Sequence, residues 1–422
     1  MTLDAIVLAD SKEANVVIAG LTVRDRAAKI ATRLGADRVL VVNSERQQIE
    51  AWRAGRTSPV LVIRADQFVH TPLVAPLVAA IPDKGLAVAV GPNNEYAGAM
   101  IASGDAAERV TTALSRGEDD EKIATTADTR IPHGDIARHA IHTQEERRRA
   151  HAMLYRILIK PQDNIITRYL FRPISSRLSR VLVHLPITAT QVSIVVAILV
   201  ALGCWMTLDP RTEMMIGGAL VILGASYLDC CDGEIARVKL QASTFGAWLD
   251  TIVDELSTIG YLLCLGWHCH LKYGPFYFGD LGFDPWIALI WIGLATFTWS
   301  LAGIYYNIIV GVGSANSQDY ASRFVIVPGP RPGTVKLAPK PSKVREWPAW
   351  AKPIIDFLPN IVRRDFIVWL AAVYAVLDVP HISFATHLAG GVVSSIVITF
   401  DHLHLRAIRA KAMREGELVR GK

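Results

Sequence analysis

The stretch DCCDGEIARVKLQASTFGAWLDTIVD, from Asp229 to Asp254, joins two long apolar runs and carries four aspartates in two pairs. Asp229 and Asp232 are three residues apart and Asp250 and Asp254 four apart, so each pair presents both carboxylates on one helical face. Gly246 extends the second face by one turn. An ionised carboxylate inside a membrane helix costs several kcal/mol unless it is paired, hydrated or bound to metal. Four of them converging from two antiparallel helices make a hard, oxygen-rich site suited to Mg2+ or Mn2+. Such ions ligate phosphate oxygens and stabilise the charge that develops in phosphoryl transfer. Gly233 and Gly246 remove side chains where a base or a diphosphate approaches the backbone, although small residues serve helix packing equally well. Arg237, just past the first pair, is a candidate phosphate ligand.

The surroundings of this stretch define a membrane protein with a polar first third. Of 422 residues, 51% are hydrophobic, and the long uncharged runs all come after about residue 190. Six candidate spans follow, at 191–208, 214–234, 246–268, 285–311, 364–379 and 383–401, the fifth of them short. Arg237, Lys239, RPGTVKLAPKPSKVR, Arg363, Arg364 and the tail RAIRAKAMREGELVRGK fall on one side of such a bundle, which places both termini and the aspartates on the cytoplasmic side. The net charge of +5 is therefore membrane-flanking and implies no nucleic acid. The five cysteines show no zinc-type spacing and read as reduced thiols, with Cys230 and Cys231 packing residues. The N-terminal MTLDAIVLADSKEA does not read as a signal peptide, so the first domain is expected in the cytoplasm.

Residues 1–120 alternate short apolar runs (AIVLA, VVIAG, RVLVV, PVLVIRA, LAVAVG) with helical stretches, the rhythm of an α/β domain with a mostly parallel sheet. Residues 121–143 are expected as a linker and 144–185 as juxtamembrane amphipathic helices in which arginines interleave with apolar residues. The membrane domain is expected over 186–405 and a basic tail over 406–422. Pro328 to Pro353 reads as a connection with limited regular structure.

At every fixed position the decisive stretch resembles the CDP-alcohol phosphotransferase signature D-x2-D-G-x2-A-R-x8-G-x3-D-x3-D: Asp229, Asp232, Gly233, Ala236, Arg237, Gly246, Asp250 and Asp254. That resemblance implies a six-helix transmembrane fold, commonly a homodimer. It implies that Asp229, Asp232 and Asp250 bind metal and the diphosphate of a CDP-alcohol, with Asp254 beside them as general base. KPQDNIITRYLFRPIS (Lys160–Ser175), ITATQVS (Ile187–Ser193) and RRDFIVWL (Arg363–Leu370) resemble the inositol-linked branch, in which a nucleotidyltransferase domain precedes the membrane domain. The branch has Pro-Asn where this chain has Ala189 and Thr190, which puts nucleotide contacts there in doubt. Arg363 and Arg364 are the candidates for holding the phosphate of a polyol-phosphate acceptor, an anchoring role being the alternative.

In the first domain AIVLA runs into DSKEANVV, with no glycine between Asp4 and Gly20 and only Lys12 as a cation. A triphosphate needs backbone N–H groups and positive charge. Asp66 stands where a metal aspartate would end a strand, and His142 replaces the second. The domain is expected to be a degenerate nucleotidyltransferase. A bifunctional enzyme that also makes its CDP-alcohol, and a non-catalytic carrier or receptor, are the alternatives.

Overall fold

The computed structural model describes residues 2–156, 166–278, 281–313, 320–329, 333–340 and 364–418. They divide into two compact units: 1–160 with 180–186 and 235–241, and 161–179 with 187–234 and 242–422.

The first unit is built on a mixed sheet. Its elements run β1 (Leu3–Leu8), β2 (Val17–Ile18), β3 (Leu21–Thr22), α1 (Val23–Arg33), β4 (Ala36–Val42), α2 (Gln48–Arg53), β5 (Val60–Arg64) and β6 (Phe68–Val69). There follow α3 (Thr71–Ala79), β7 (Gly85–Val90), β8 (Tyr96–Ser103), α4 (Asp105–Ser115), α5 (Asp120–Ala124), β9 (Thr129–Pro132), β10 (Arg138–His139) and α6 (Gln144–Arg156). The main sheet has the order β4-β1-β5-β8-β7-β9. β1 is parallel to β4 and β5, β8 is antiparallel to β5 and β7, and β9 is parallel to β7. β1 is buried along its whole length, as a central strand covered on both faces must be.

Three features differ from the sequence reading. VVIAG forms no sheet strand but half of the β2–β3 hairpin, whose central residues Ala19 and Gly20 both have positive φ, 51° and 76°. A two-residue hairpin loop of that kind matches the strand twist, and Gly20 also sits where a Cβ would lie 2.5 Å from the Val183 carbonyl oxygen. β8 was not foreseen because YAGAMIAS is rich in alanine and glycine, poor strand formers, yet seven of its eight residues are buried. The expected linker 121–143 contains β9 and β10, β9 being an exposed edge strand whose polar residues discourage further pairing.

Asp4 on β1 is fully buried and accepts hydrogen bonds from Arg53 Nη1 at 2.6 Å, Arg56 Nη1 at 2.8 Å and Ser58 Oγ at 2.9 Å. Asp4→Ala leaves the buried Arg53 without its carboxylate, which costs about 3–5 kcal/mol. Hydrogen exchange of the β1 amides in the full chain should then accelerate on the order of a hundredfold or more, against little change for Arg56→Gln, whose side chain is 35% exposed.

The second unit is helical: α7 (Arg172–Leu182, which ends in the first unit), α8 (Ala189–Thr207), α9 (Thr212–Val238, likewise), α10 (Thr244–Tyr273), α11 (Pro285–Tyr306), and the helices Arg364–Val376 and Pro380–Glu415. α8 opens on a capping box in which Thr188 Oγ1 accepts from Gln191 N and Gln191 Oε1 accepts from Thr188 N. α8 and α9 approach closely enough that a Cβ on Gly218 would lie 2.6 Å from the Gly203 carbonyl oxygen, the small-residue packing of membrane helices.

Among the described residues four helices are long and apolar enough to cross a bilayer: Ala189–Thr207, Thr212–Val238, Pro285–Val312 and Pro380–Glu415, with mean hydropathy 2.0, 1.7, 1.8 and 1.6. Their outward residues include Ile198, Trp205, Trp291 and Phe400, all more than 60% exposed, as lipid contact requires. The expected spans 246–268 and 364–379 are helices that fall outside this set. α10 carries Asp250, Asp254 and Glu255, and Arg364–Val376 has 13 residues. The stretch expected to lack regular structure supplies the strand Thr334–Pro339, paired with Phe324–Pro328 and Glu417–Leu418, while 341–363 lie outside the described residues.

Candidate active site

The aspartates are brought together by a helical hairpin whose two arms match in length. Asp229 lies nine residues before the end of α9 and Asp254 ten after the start of α10, about 14 and 15 Å along the axes. At the turn, Gln241 N returns to the Ala236 carbonyl at 2.8 Å and Leu240 takes positive φ, 51°. Ser243 then caps α10, its Oγ accepting from Gly246 N at 3.0 Å. Among the described residues, a Cβ on Gly246 would meet only that hydroxyl, at 3.2 Å.

Carboxylate oxygens of Asp229, Asp250 and Asp254 lie within 4.8 Å of one another, all half-buried. Arg364, the first residue of its helix, donates from Nη1 to Asp254 Oδ1 and lies 3.5 Å from Asp229 Oδ2. Among the described residues, this oxygen-only donor set is of the kind that fits a divalent cation. Asp232 is not part of this group. It is buried and its Oδ2 accepts from Ser193 Oγ at 2.6 Å.

Several residues without an expected role stand beside these. Glu234, fully buried, accepts at Oε1 from Arg172 Nη1 at 2.6 Å and from Ser175 Oγ at 3.0 Å. Asp365 Oδ2 accepts from Thr167 Oγ1. Ser193, Arg172, Ser175, Thr167 and Asp365 all lie in the three stretches flagged by resemblance, but nothing in spacing alone pairs them with the aspartates. Glu234 occupies a variable position of the signature. Cys231, buried, donates to the Tyr227 and Ser175 carbonyls, the packing role expected of it. Gly233 follows Asp232 on α9, while Ala236 and Arg237 fall in the first unit, where Arg237 lines a cavity. Arg363 lies outside the described residues.

Residues 184–322 match the family model described as CDP-alcohol phosphatidyltransferase. All four aspartates lie inside that segment; Arg364 and nearly all of the first unit lie outside it. The chain is similar to "Bifunctional IPC transferase and DIPP synthase" of Thermococcus kodakarensis, 34% identical over 30% of this chain and 28% of the relative. It is also similar to the proteins of that name from Aquifex aeolicus, 30% identical over 35% of the chain and 32% of the relative, and from Archaeoglobus fulgidus, 34% identical over 27% and 23%. The matches thus span a third or less of these relatives' own length.

In the first unit, Asp66 is held by Arg64 Nη2 at 2.5 Å, and the same guanidinium reaches Glu121 at 2.6 Å and Asp120 at 3.8 Å. Asp10 is paired with Arg46 at 2.5 Å. His142 is mostly exposed with Nδ1 3.5 Å from Glu13, and Lys12 opens the short 3-10 turn Lys12–Asn15. Among the described residues, the grouping of metal-type ligands is the one formed by Asp229, Asp250 and Asp254.

Removing one of three carboxylates from a divalent site lowers its affinity at least tenfold. Manganese titration of the full chain in detergent, followed by electron paramagnetic resonance, should show that loss for Asp250→Asn with the helical circular dichroism unchanged. Equal affinity would dissociate Asp250 from the ion.

Proposed function

We propose that the second unit is a divalent-metal-dependent CDP-alcohol phosphotransferase, spanning the membrane with six helices and working at its cytoplasmic face. It moves the phosphoalcohol group of a CDP-alcohol to an acceptor hydroxyl and releases CMP. The observation that carries this reading is the convergence of Asp229, Asp250 and Asp254 from the two arms of the signature hairpin.

A bound Mg2+ or Mn2+ supplies charge stabilisation for the diphosphate. Asp229, Asp250 and Asp254 would hold it, with Asp232 as the fourth carboxylate. Gly233 and Gly246 let the donor approach the two helices, and Ala236 and Arg237 continue the donor face along α9. Asp254 takes the proton of the acceptor hydroxyl. The acceptor oxygen then forms a bond to the β-phosphorus, and the bond from that phosphorus to the bridging oxygen breaks, CMP leaving with the electron pair.

Arg364 has two anionic claims on it. It now pairs with Asp254 and Asp229. An acceptor phosphate, with Arg363 as second ligand, draws the guanidinium away and frees Asp254 to act as base, so that the base is released only when an acceptor is present. A polyol phosphate, such as an inositol phosphate, is the acceptor class this exchange requires. The active form is a homodimer.

Purified full chain with Mg2+ and a panel of CDP-alcohols and acceptors should release CMP with one donor–acceptor pair; no release from any CDP-alcohol would overturn the reading. With that pair, Arg364→Gln should raise the acceptor KM about 10–100-fold, the worth of one charged hydrogen bond, and leave the donor KM unchanged. A role confined to anchoring the helix would instead lower expression and leave both constants intact.

The first unit, on this reading, is a non-catalytic nucleotidyltransferase-like domain. The support is that Arg64 and Arg46 already neutralise Asp66 and Asp10. The competing bifunctional reading draws on the relatives' printed name. Full chain carrying Asp254→Asn should form no CDP-alcohol and no pyrophosphate from CTP, Mg2+ and polyol phosphates. Accumulation of a CDP-alcohol there would make the bifunctional reading correct.

A further inference from the structure

α1 in the first unit carries a basic face, Arg26, Lys29 and Arg33, at helical spacing. Two of these groups serve the end of α9: Arg26 Nη2 donates to the Val238 carbonyl at 2.8 Å and Lys29 Nζ to the Lys239 carbonyl at 3.4 Å, as cations do at a helix C-terminus. That contact does not exhaust Arg26. Its side chain is fully buried, packed at 5.0 Å from the Phe68 ring centroid, and its Nε and Nη1 have no hydrogen-bond partner among the described residues. Burial pulls Arg26 down only to about 10, so it is a buried cation at neutral pH. A buried guanidinium with two unmet N–H groups is costly unless an anion meets it.

On the Val238 that Arg26 holds there opens a cavity of about 170 Å3, far roomier than the ~10–15 Å3 one water needs, which Arg26 itself does not line. Arg33, His70, Thr71 and Arg237 line it with the apolar Leu154 and Leu240, and Val238, the residue Arg26 holds, is part of its wall. Thr71 begins the nine-residue helix α3, whose positive end therefore opens on the cavity. His70 Nδ1 is buried without a hydrogen-bond partner among the described residues. Burial, and after it the Arg26 and Arg33 charges, push His70 down to about 4.

We propose that this cavity binds a phosphate group, with Arg33 and Arg237 at its walls, the end of α3 facing it and Arg26 as the buried charge behind it. The group is either free inorganic phosphate or the phosphomonoester of a polyol phosphate. None of the aspartates lines it, and although the transferase reading assigns Arg237 to the donor, phosphate binding in the cavity is tested without the transfer reaction.

Isothermal titration of the full chain in detergent, in chloride buffer without added metal, tests this with inorganic phosphate and glycerol phosphate as probes. Saturable binding is expected, weakened at least tenfold in Arg33→Gln and in Arg26→Gln, and unaffected by Asp250→Asn. Should Arg26→Gln fail to fold, Arg33→Gln and His70→Asn still decide the matter. A tenfold preference for glycerol phosphate identifies an ester as the ligand, and equal affinities identify free phosphate. Absence of saturable binding, wild-type affinity in Arg33→Gln, or loss in Asp250→Asn would overturn the proposal, the last by placing the anion at the aspartates.

Discussion

Mutual repulsion of carboxylates governs the second unit. Each pair within 4.8 Å, when ionised, repels by roughly 3.5 kcal/mol or more at an effective dielectric of about 20. Asp229, Asp250 and Asp254 are held at that separation by helix packing, with α10 against α8 and α11, rather than by attraction among themselves. Arg364 offsets part of the repulsion. Asp232 escapes the crowd by taking the Ser193 hydroxyl, and Glu234 by burying itself with Arg172 and Ser175.

The first unit handles buried charge with the opposite sign. Asp4 is saturated by two arginines and a serine, so β1 is tied to the loop before β5 by a closed network. Arg64 similarly gathers Asp66, Asp120 and Glu121. Asp66 and Asp10 are thus paired with Arg64 and Arg46, and Arg26 is a buried cation two of whose nitrogens lack a hydrogen-bond partner among the described residues.

How much of this was legible in the sequence depended on whether a residue's role was local. The three- and four-residue spacings of the aspartates are local to their two helices; the sequence expects all four carboxylates in one group, whereas the structure gathers Asp229, Asp250 and Asp254 and leaves Asp232 on Ser193. β1, β4, β5 and β7 were legible as continuous apolar runs, whereas β8 was hidden by its small residues and β9 by its polar ones. Ser193 with Asp232, Arg172 with Glu234 and Thr167 with Asp365 are 39, 62 and 198 residues apart, and no pattern short of the fold pairs them. Arg364, with Arg363, reads from sequence as a candidate phosphate ligand or a membrane anchor; that it sits on Asp254 can be learned only from the fold.

In the proposed reaction the two relations of Arg364, to Asp254 and to an acceptor phosphate, order the chemistry. A carboxylate kept on a guanidinium is a poor base, because taking a proton forfeits the ion pair. A carboxylate released by a competing phosphate is a better one, at the moment when the hydroxyl to be activated has arrived on the same molecule as that phosphate. Water carries no phosphate to effect the exchange. In the proposed reaction, Arg364 therefore favours transfer over hydrolysis of the donor, a discrimination that requires no lid and is contained in one side chain at the start of one helix.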